Sequence, residues 1–145
     1  MHALSIRQPY AELILRGVKT VEYRTRPVRG RLIGRRFAIY APGKWADLDG
    51  DELLDWSALT AVLSHPRKGE RGPDFRGLPR GVLVGSAVIS HCSPPPPEIE
   101  APEDGEIPFG HCWRWHLKAV RRWKRPRKLS KGIRPQPVWF RLRAA

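Results

Sequence analysis

Cysteine, acid and long apolar runs are all scarce in this chain. Two cysteines, Cys92 and Cys112, in 145 residues cannot supply a disulfide framework, and such a lone pair in a cytosolic chain is more often reduced than bridged. No apolar stretch approaches the roughly 20 residues needed to span a bilayer. Met1-His2-Ala3-Leu4 opens directly into a strand pattern without a signal-peptide layout. A cytoplasmic protein with no membrane association is therefore expected. Asp and Glu number only 14 against 27 Lys and Arg, giving a net charge of +13 and a sequence pI near 10.8. That imbalance favours polyanionic partners, with RNA or DNA as the default candidate, unless a general bias toward arginine produces it without a ligand.

The length fits one domain, residues 1–145, which buries about two-thirds of the surface its unfolded form exposes. No internal repeat or second composition class divides it. Ala3 to Ile6 reads as a short strand. Pro9 suits the start of a helix over Tyr10 to Arg16, buried through Ala11, Leu13, Ile14 and Leu15 and stopped by Gly17. Phe37 to Ala41 is an apolar strand broken by Pro42-Gly43. Asp47 to Leu63 carries Leu53, Leu54, Trp56, Leu59 and Val62 near helical spacing, which predicts a helix over one barrel end. Residues His65 to Arg80 read as an exposed basic loop.

Val82 to Ile89 reads as a buried strand, and Pro94 to Pro97 ends its ladder because proline donates no amide hydrogen. Glu98, Glu100, Glu103, Asp104 and Glu106 then hold five of the 14 acids, so the rest of the surface is more basic still. That segment is either a solvated loop or a flap competing for the basic face. Cys112 to Val120 alternates Trp113 and Trp115 against Arg114 and His116, as a two-faced strand would. Trp113, Trp115 and Trp139 are expected in the core, and a last strand lies around Val138 to Leu142. Five or six short strands with two or three flanking helices predict an α+β, mainly β fold: a small mixed β-barrel that closes to remove its edges.

Chemistry concentrates at Gly17-Val18-Lys19-Thr20-Val21-Glu22-Tyr23-Arg24. If Thr20 to Arg24 is a strand, Thr20, Glu22 and Arg24 share a half-exposed face, Val21 and Tyr23 take the other, and Lys19 stands at the rim. A merely solvated Glu/Arg pair would fit the same spacing. This motif follows Leu4-Ser5-Ile6-Arg7-Gln8-Pro9-Tyr10 and precedes Arg29-Gly30-Arg31. Downstream come Pro79 to Val88, then Lys131-Gly132 and Val138-Trp139. Together these segments resemble the ASCH domain, named for homology to activating signal cointegrator 1, a branch of the PUA-like β-barrels. The resemblance spans nearly the whole chain and is most specific at the Gly-x-Lys-x-x-Glu-x-Arg motif and the Gln-Pro-aromatic triplet.

The resemblance implies a cleft for a nucleotide or a single unstacked base, here lined by Gln8, Tyr10, Lys19, Glu22 and Arg24. Gln8 offers donor and acceptor to a base edge, Tyr10 a ring face or hydroxyl, and Arg24 a fork for phosphate or for Glu22. Lys19 is a mobile point charge that desolvation can turn into a base. Arg26 and Arg29, with Arg121, Arg122, Trp123, Lys124 and Arg125, supply cations for a phosphate backbone. Trp123 either stacks a base or fills the barrel seam.

A nucleic-acid-binding module is thus the first reading, as a monomer, with a modified or flipped-out base as possible ligand. The second is a metal-independent hydrolase in which Lys19, Glu22 and Arg24 are catalytic, because ASCH proteins include N4-acetylcytidine amidohydrolases and assigned ribonucleases. In the amidohydrolase branch a threonine nucleophile stands two residues before the arginine, where this chain has Glu22. A carboxylate does not replace a hydroxyl nucleophile in amide hydrolysis, although it can activate water. No cofactor or metal is expected. The His91-Cys92 and His111-Cys112 pairs each present one easy ligand per strand face, which strains a four-ligand zinc site.

Overall fold

The computed structural model describes residues 1–46, 77–95 and 112–142. The elements are β1 (His2–Ser5), α1 (Tyr10–Leu15), β2 (Val21–Arg24), β3 (Arg36–Ala41), β4 (Val82–Ser93), β5 (Trp113–Arg127) and β6 (Trp139–Arg141), with a 3-10 turn at Gly30–Leu32. The strands form one curled six-stranded sheet, ordered β2-β5-β4-β3-β1-β6. β1 runs parallel to β3, and the other neighbours pair antiparallel. This is the mainly-β architecture expected from the short strands, curled into a half-barrel.

Three departures from expectation have physical causes. The barrel does not close by hydrogen bonding: β2 and β6 are the sheet's two edges among the described residues. β4 and β5 are both longer than their apolar patterns indicate, because pairing continues through His91 to Ser93 and through the basic run to Arg127. Register shifts in the β4–β5 ladder interrupt the alternation that would mark such a strand, and they increase local twist. The helix expected over Asp47 to Leu63, most of the His65 to Arg80 loop and the acidic segment lie outside the described residues. Those described contain one α-helix.

The core explains why β3 and β4 read as nearly continuous apolar runs: apolar residues cover both faces of the sheet. Leu4, Ile6, Ile14, Phe37, Ile39, Val84, Ile89 and Trp115 fill the concave side. Ala3, Ala38, Tyr40, Leu83 and Phe140 form a second cluster, against which Trp123, Leu129 and Ile133 pack. Full burial of each large aliphatic side chain contributes about 1.5–3 kcal/mol. Trp115 and Trp139 stack at 5.9 Å and Phe37 meets Trp139 edge-on, so tryptophans do serve the core.

Helix α1 docks against β3 and β5. Gly17, at φ +77°, ends it by returning its N–H to the Ile14 carbonyl. Val18 and Lys19 then donate their N–H groups to the Leu13 carbonyl, which aims the chain into β2.

Candidate functional site

The unpaired seam between β2 and the segment leading into β6 holds an open cleft of about 580 Å³, within the range of small-ligand sites. Ser5 and Ile6, at the end of β1, form its floor with Tyr40. Glu22, Tyr23 and Arg24 form one wall and Pro135, Gln136 and Pro137 the other, with Arg7, Tyr10 and Lys44 at the mouth. The walls are tied across the floor. Ser5 donates its hydroxyl to the Gln136 carbonyl at 2.6 Å, and Arg24 Nη2 donates to the Ser5 carbonyl at 2.8 Å. Burial pushes the Tyr40 hydroxyl above its ordinary pKa, so it stays a protonated donor and acceptor.

Glu22 is buried rather than half-exposed, and faces inward with its register partner Trp115. Its Oε1 lies 3.7 Å from Arg24 Nε, a single loose contact and not a bidentate fork. Its Oε2 is buried with no hydrogen-bond partner among the described residues. Arg24 also lies over the Trp115 ring, 5.8 Å from its centroid. Lys19 sits between two aromatic faces, its ammonium 5.2 Å from the Tyr10 ring and 5.0 Å from the Tyr23 ring.

Gln8 is not in the cleft. It is fully buried, its Oε1 accepts the Glu12 N–H at 2.9 Å, and its Nε2 donates to the Pro79 carbonyl at 3.0 Å. Its amide therefore clamps α1 to the start of β4 and has no edge to offer a base. Arg7, which precedes it, is exposed and lines the cleft instead. Arg7, Tyr23 and Lys44 were missed by sequence reasoning, although the alternation of β2 sets Tyr23 opposite Glu22 and so at the same edge.

The basic run is split by the strand it lies on. Arg121, Lys124 and Arg125 are exposed. Arg122 turns inward to Glu12, donating from Nη1 to Oε2 at 3.0 Å and from Nη2 to Oε1. Arg16 Nε reaches the same carboxylate at 2.8 Å. Trp123 is half-buried against the second apolar cluster, with the Arg127 guanidinium 4.9 Å from its ring centre. Arg26 and Arg29 are exposed in the turn after β2, which the Trp115 indole fixes by donating to the Arg26 carbonyl at 3.0 Å. None of these basic-run and turn residues lines the cleft.

His91 stacks on His116, while His111 lies outside the described residues. Cys92 and Cys112 are not joined in a disulfide, and burial raises the pKa of Cys112. No group of three or more His, Cys, Asp or Glu that could hold a metal occurs among the described residues. None of the described helices is long and apolar enough to cross a membrane.

The family model of the ASCH domain matches residues 4–127. The chain belongs to the ASCH domain family. A crystal structure of a mutant ZmASCH protein from Zymomonas mobilis superposes with a TM-score of 0.56 at 15% identity, covering 98% of this chain and 87% of that one. Likeness at that identity concerns the fold, and it agrees with the ASCH and PUA-like half-barrel seen here. In this ASCH domain Gly17, Lys19, Glu22 and Arg24 run from the end of α1 through β2, and of these Glu22 and Arg24 line the cleft.

Proposed function

We propose that this ASCH domain is a nucleic-acid-binding module that takes an unstacked base into the seam cleft while exposed cations hold the backbone. The observation that carries this reading is Glu22 Oε2, a buried acceptor without a partner among the described residues, in the wall of an open cleft. An unsatisfied buried acceptor costs about 1–3 kcal/mol or more, which a donor supplied by a ligand removes. Every nucleobase carries at least one amino or imino N–H at its polar edge. The Tyr10 and Tyr23 rings and the Arg24 guanidinium offer flat faces, and Arg7 and Lys44 at the mouth suit phosphate.

The test is a titration of labelled single-stranded RNA, single-stranded DNA and duplex DNA at two salt concentrations, each sample then run on a denaturing gel. Single strands are expected to bind with salt-sensitive affinity and remain intact. Glu22→Gln, which exchanges an acceptor for a donor, is expected to weaken binding about tenfold. Strands that shorten, and that Lys19→Ala protects, would make the domain a hydrolase with Lys19, Glu22 and Arg24 as catalytic residues. Absence of binding to all three polymers would overturn the reading.

A further inference from the structure

Over the β2 edge from the cleft, register lines up two rows of side chains across β2, β5 and β4. One row is Val21, His116 and His91; the other is Tyr23, Arg114 and Ser93. Residues paired in register project from the same face. The two imidazoles stack with centroids 4.1 Å apart and planes 7° from parallel. One nitrogen of each ring is held by a serine: His91 Nδ1 by Ser90 Oγ at 2.9 Å and His116 Nε2 by Ser93 Oγ at 2.8 Å. Among the described residues, no hydrogen bond engages the second nitrogen of either ring. Arg114 beside them has a buried Nε without a hydrogen-bond partner there.

Among the described residues, the groups bearing on this pair are all basic or neutral. His91 comes from β4, Arg114 from β5, and β2 contributes Tyr23, the register partner of Arg114, with Lys19 against its ring. Only two carboxylates, Glu12 and Glu22, occur among the described residues, and both face arginines on the other side of the sheet. A guanidinium and a second imidazole beside His116 disfavour its charged form, and an anion placed among them favours it. Burial first, then the charges of His91 and Arg114, hold His116 below its ordinary pKa. Tyr23 joins this face to the cleft, since it lines the one and borders the other.

We propose that His91, His116 and Arg114 form a proton-gated phosphate site that continues the cleft over the β2 edge and holds a backbone phosphate next to the captured base. The phosphate brings negative charge to this cluster, His116 takes up a proton as it binds, and affinity rises as pH falls. The backbone as the source of that phosphate rests on the proposed reading of the cleft; the site's affinity for phosphate does not.

The experiment follows the histidine ring signals by NMR while inorganic phosphate, and separately a short single-stranded RNA, is added at about pH 8 and at about pH 5.5. Phosphate is expected to move the His116 titration upward. RNA affinity should rise roughly tenfold or more from the higher to the lower pH in the parent, and about twofold or less when His91→Gln and His116→Gln are combined. Rings unmoved by phosphate, or an undiminished pH gain in the double variant, would overturn the proposal. Rings that respond to phosphate in a protein that binds no RNA at either pH would keep the phosphate site and remove the nucleic-acid reading of the cleft. RNA binding that ignores pH, with silent rings, would do the reverse. The parent spectra decide the matter even where the double variant fails to fold.

Discussion

Glu12 and Glu22 are both buried carboxylates set against arginine, and they differ in how fully they are satisfied. Both oxygens of Glu12 accept from Arg122, and Oε1 also from Arg16, whereas Glu22 keeps one oxygen in reserve. Burial alone would raise the Glu12 pKa, but the Arg122 and Arg16 hydrogen bonds outweigh it and hold the carboxyl below its ordinary value. The stabilisation is therefore complete above the unfolded value of about 4.3 and is lost as pH falls through the lower folded value. Arg122→Gln is expected to cost about 3 kcal/mol by denaturant unfolding, the low end of the range for breaking a buried pair because Arg16 remains. It should also move acid unfolding to higher pH. An unchanged denaturation midpoint and acid limit would return Arg122 to the exposed cations. Sequence alone does not divide Arg122 from Arg121, nor Gln8 from a base reader. Side-chain chemistry is the same inside and outside, and the deciding partners, Glu12 and the Pro79 carbonyl, lie 110 and 71 residues away.

Elements were legible where one periodicity runs unbroken. α1, with Pro9 before it and Gly17 after it, and β3, with its apolar run, stand where their patterns set them. β5 was legible only through its tryptophan alternation. Beyond Val120 the ladder is sustained by backbone pairing and by a bulge, where Ala119 takes φ +50°. That conformation costs a residue with a Cβ about 1–3 kcal/mol. Arg36 holds it by donating from Nη1 to the Ala119 carbonyl and to Ser86 Oγ, both at 2.9 Å. Gly85 lies on β4 against the far side of this bulge. A Cβ there would strike the Arg121 carbonyl oxygen and lie 2.7 Å from Leu15 Cδ2. Leu15 can shift, but the carbonyl belongs to the ladder. Gly85→Ala is expected to lower stability by about 1–3 kcal/mol in thermal unfolding, as overpacking does. A melting temperature equal to the parent's would show that β4 and β5 separate freely at this point.

At the scale of the molecule, topology leaves an open seam and composition leaves an excess of cations. The whole chain carries 27 Lys and Arg against 14 acids, a net charge of +13 that favours a polyanion. The family itself was legible, because the segments that carry the resemblance are local in sequence. The open seam was not, because it arises from which strands remain unpaired once β1 sits between β3 and β6. An open edge on a basic body is an aggregation risk, which side chains offset here: Arg24 reaches across to Ser5, and Trp115 stacks on Trp139. The cations that do no internal work are the ones left for a polyanion. Arg121, Lys124 and Arg125 are exposed on β5, away from the cleft. Replacing all three by serine should leave the unfolding midpoint within about 0.5 kcal/mol of the parent, as surface changes do. Affinity for single-stranded RNA should fall, and the slope of log affinity against log salt should flatten by about 0.7 for each phosphate no longer neutralised. Weaker binding with the parent's slope would mean that β5 shapes the site without touching the backbone. An unchanged slope and affinity would place the polyanion wholly on the cleft side, at Arg7, Lys44 and the β2 edge.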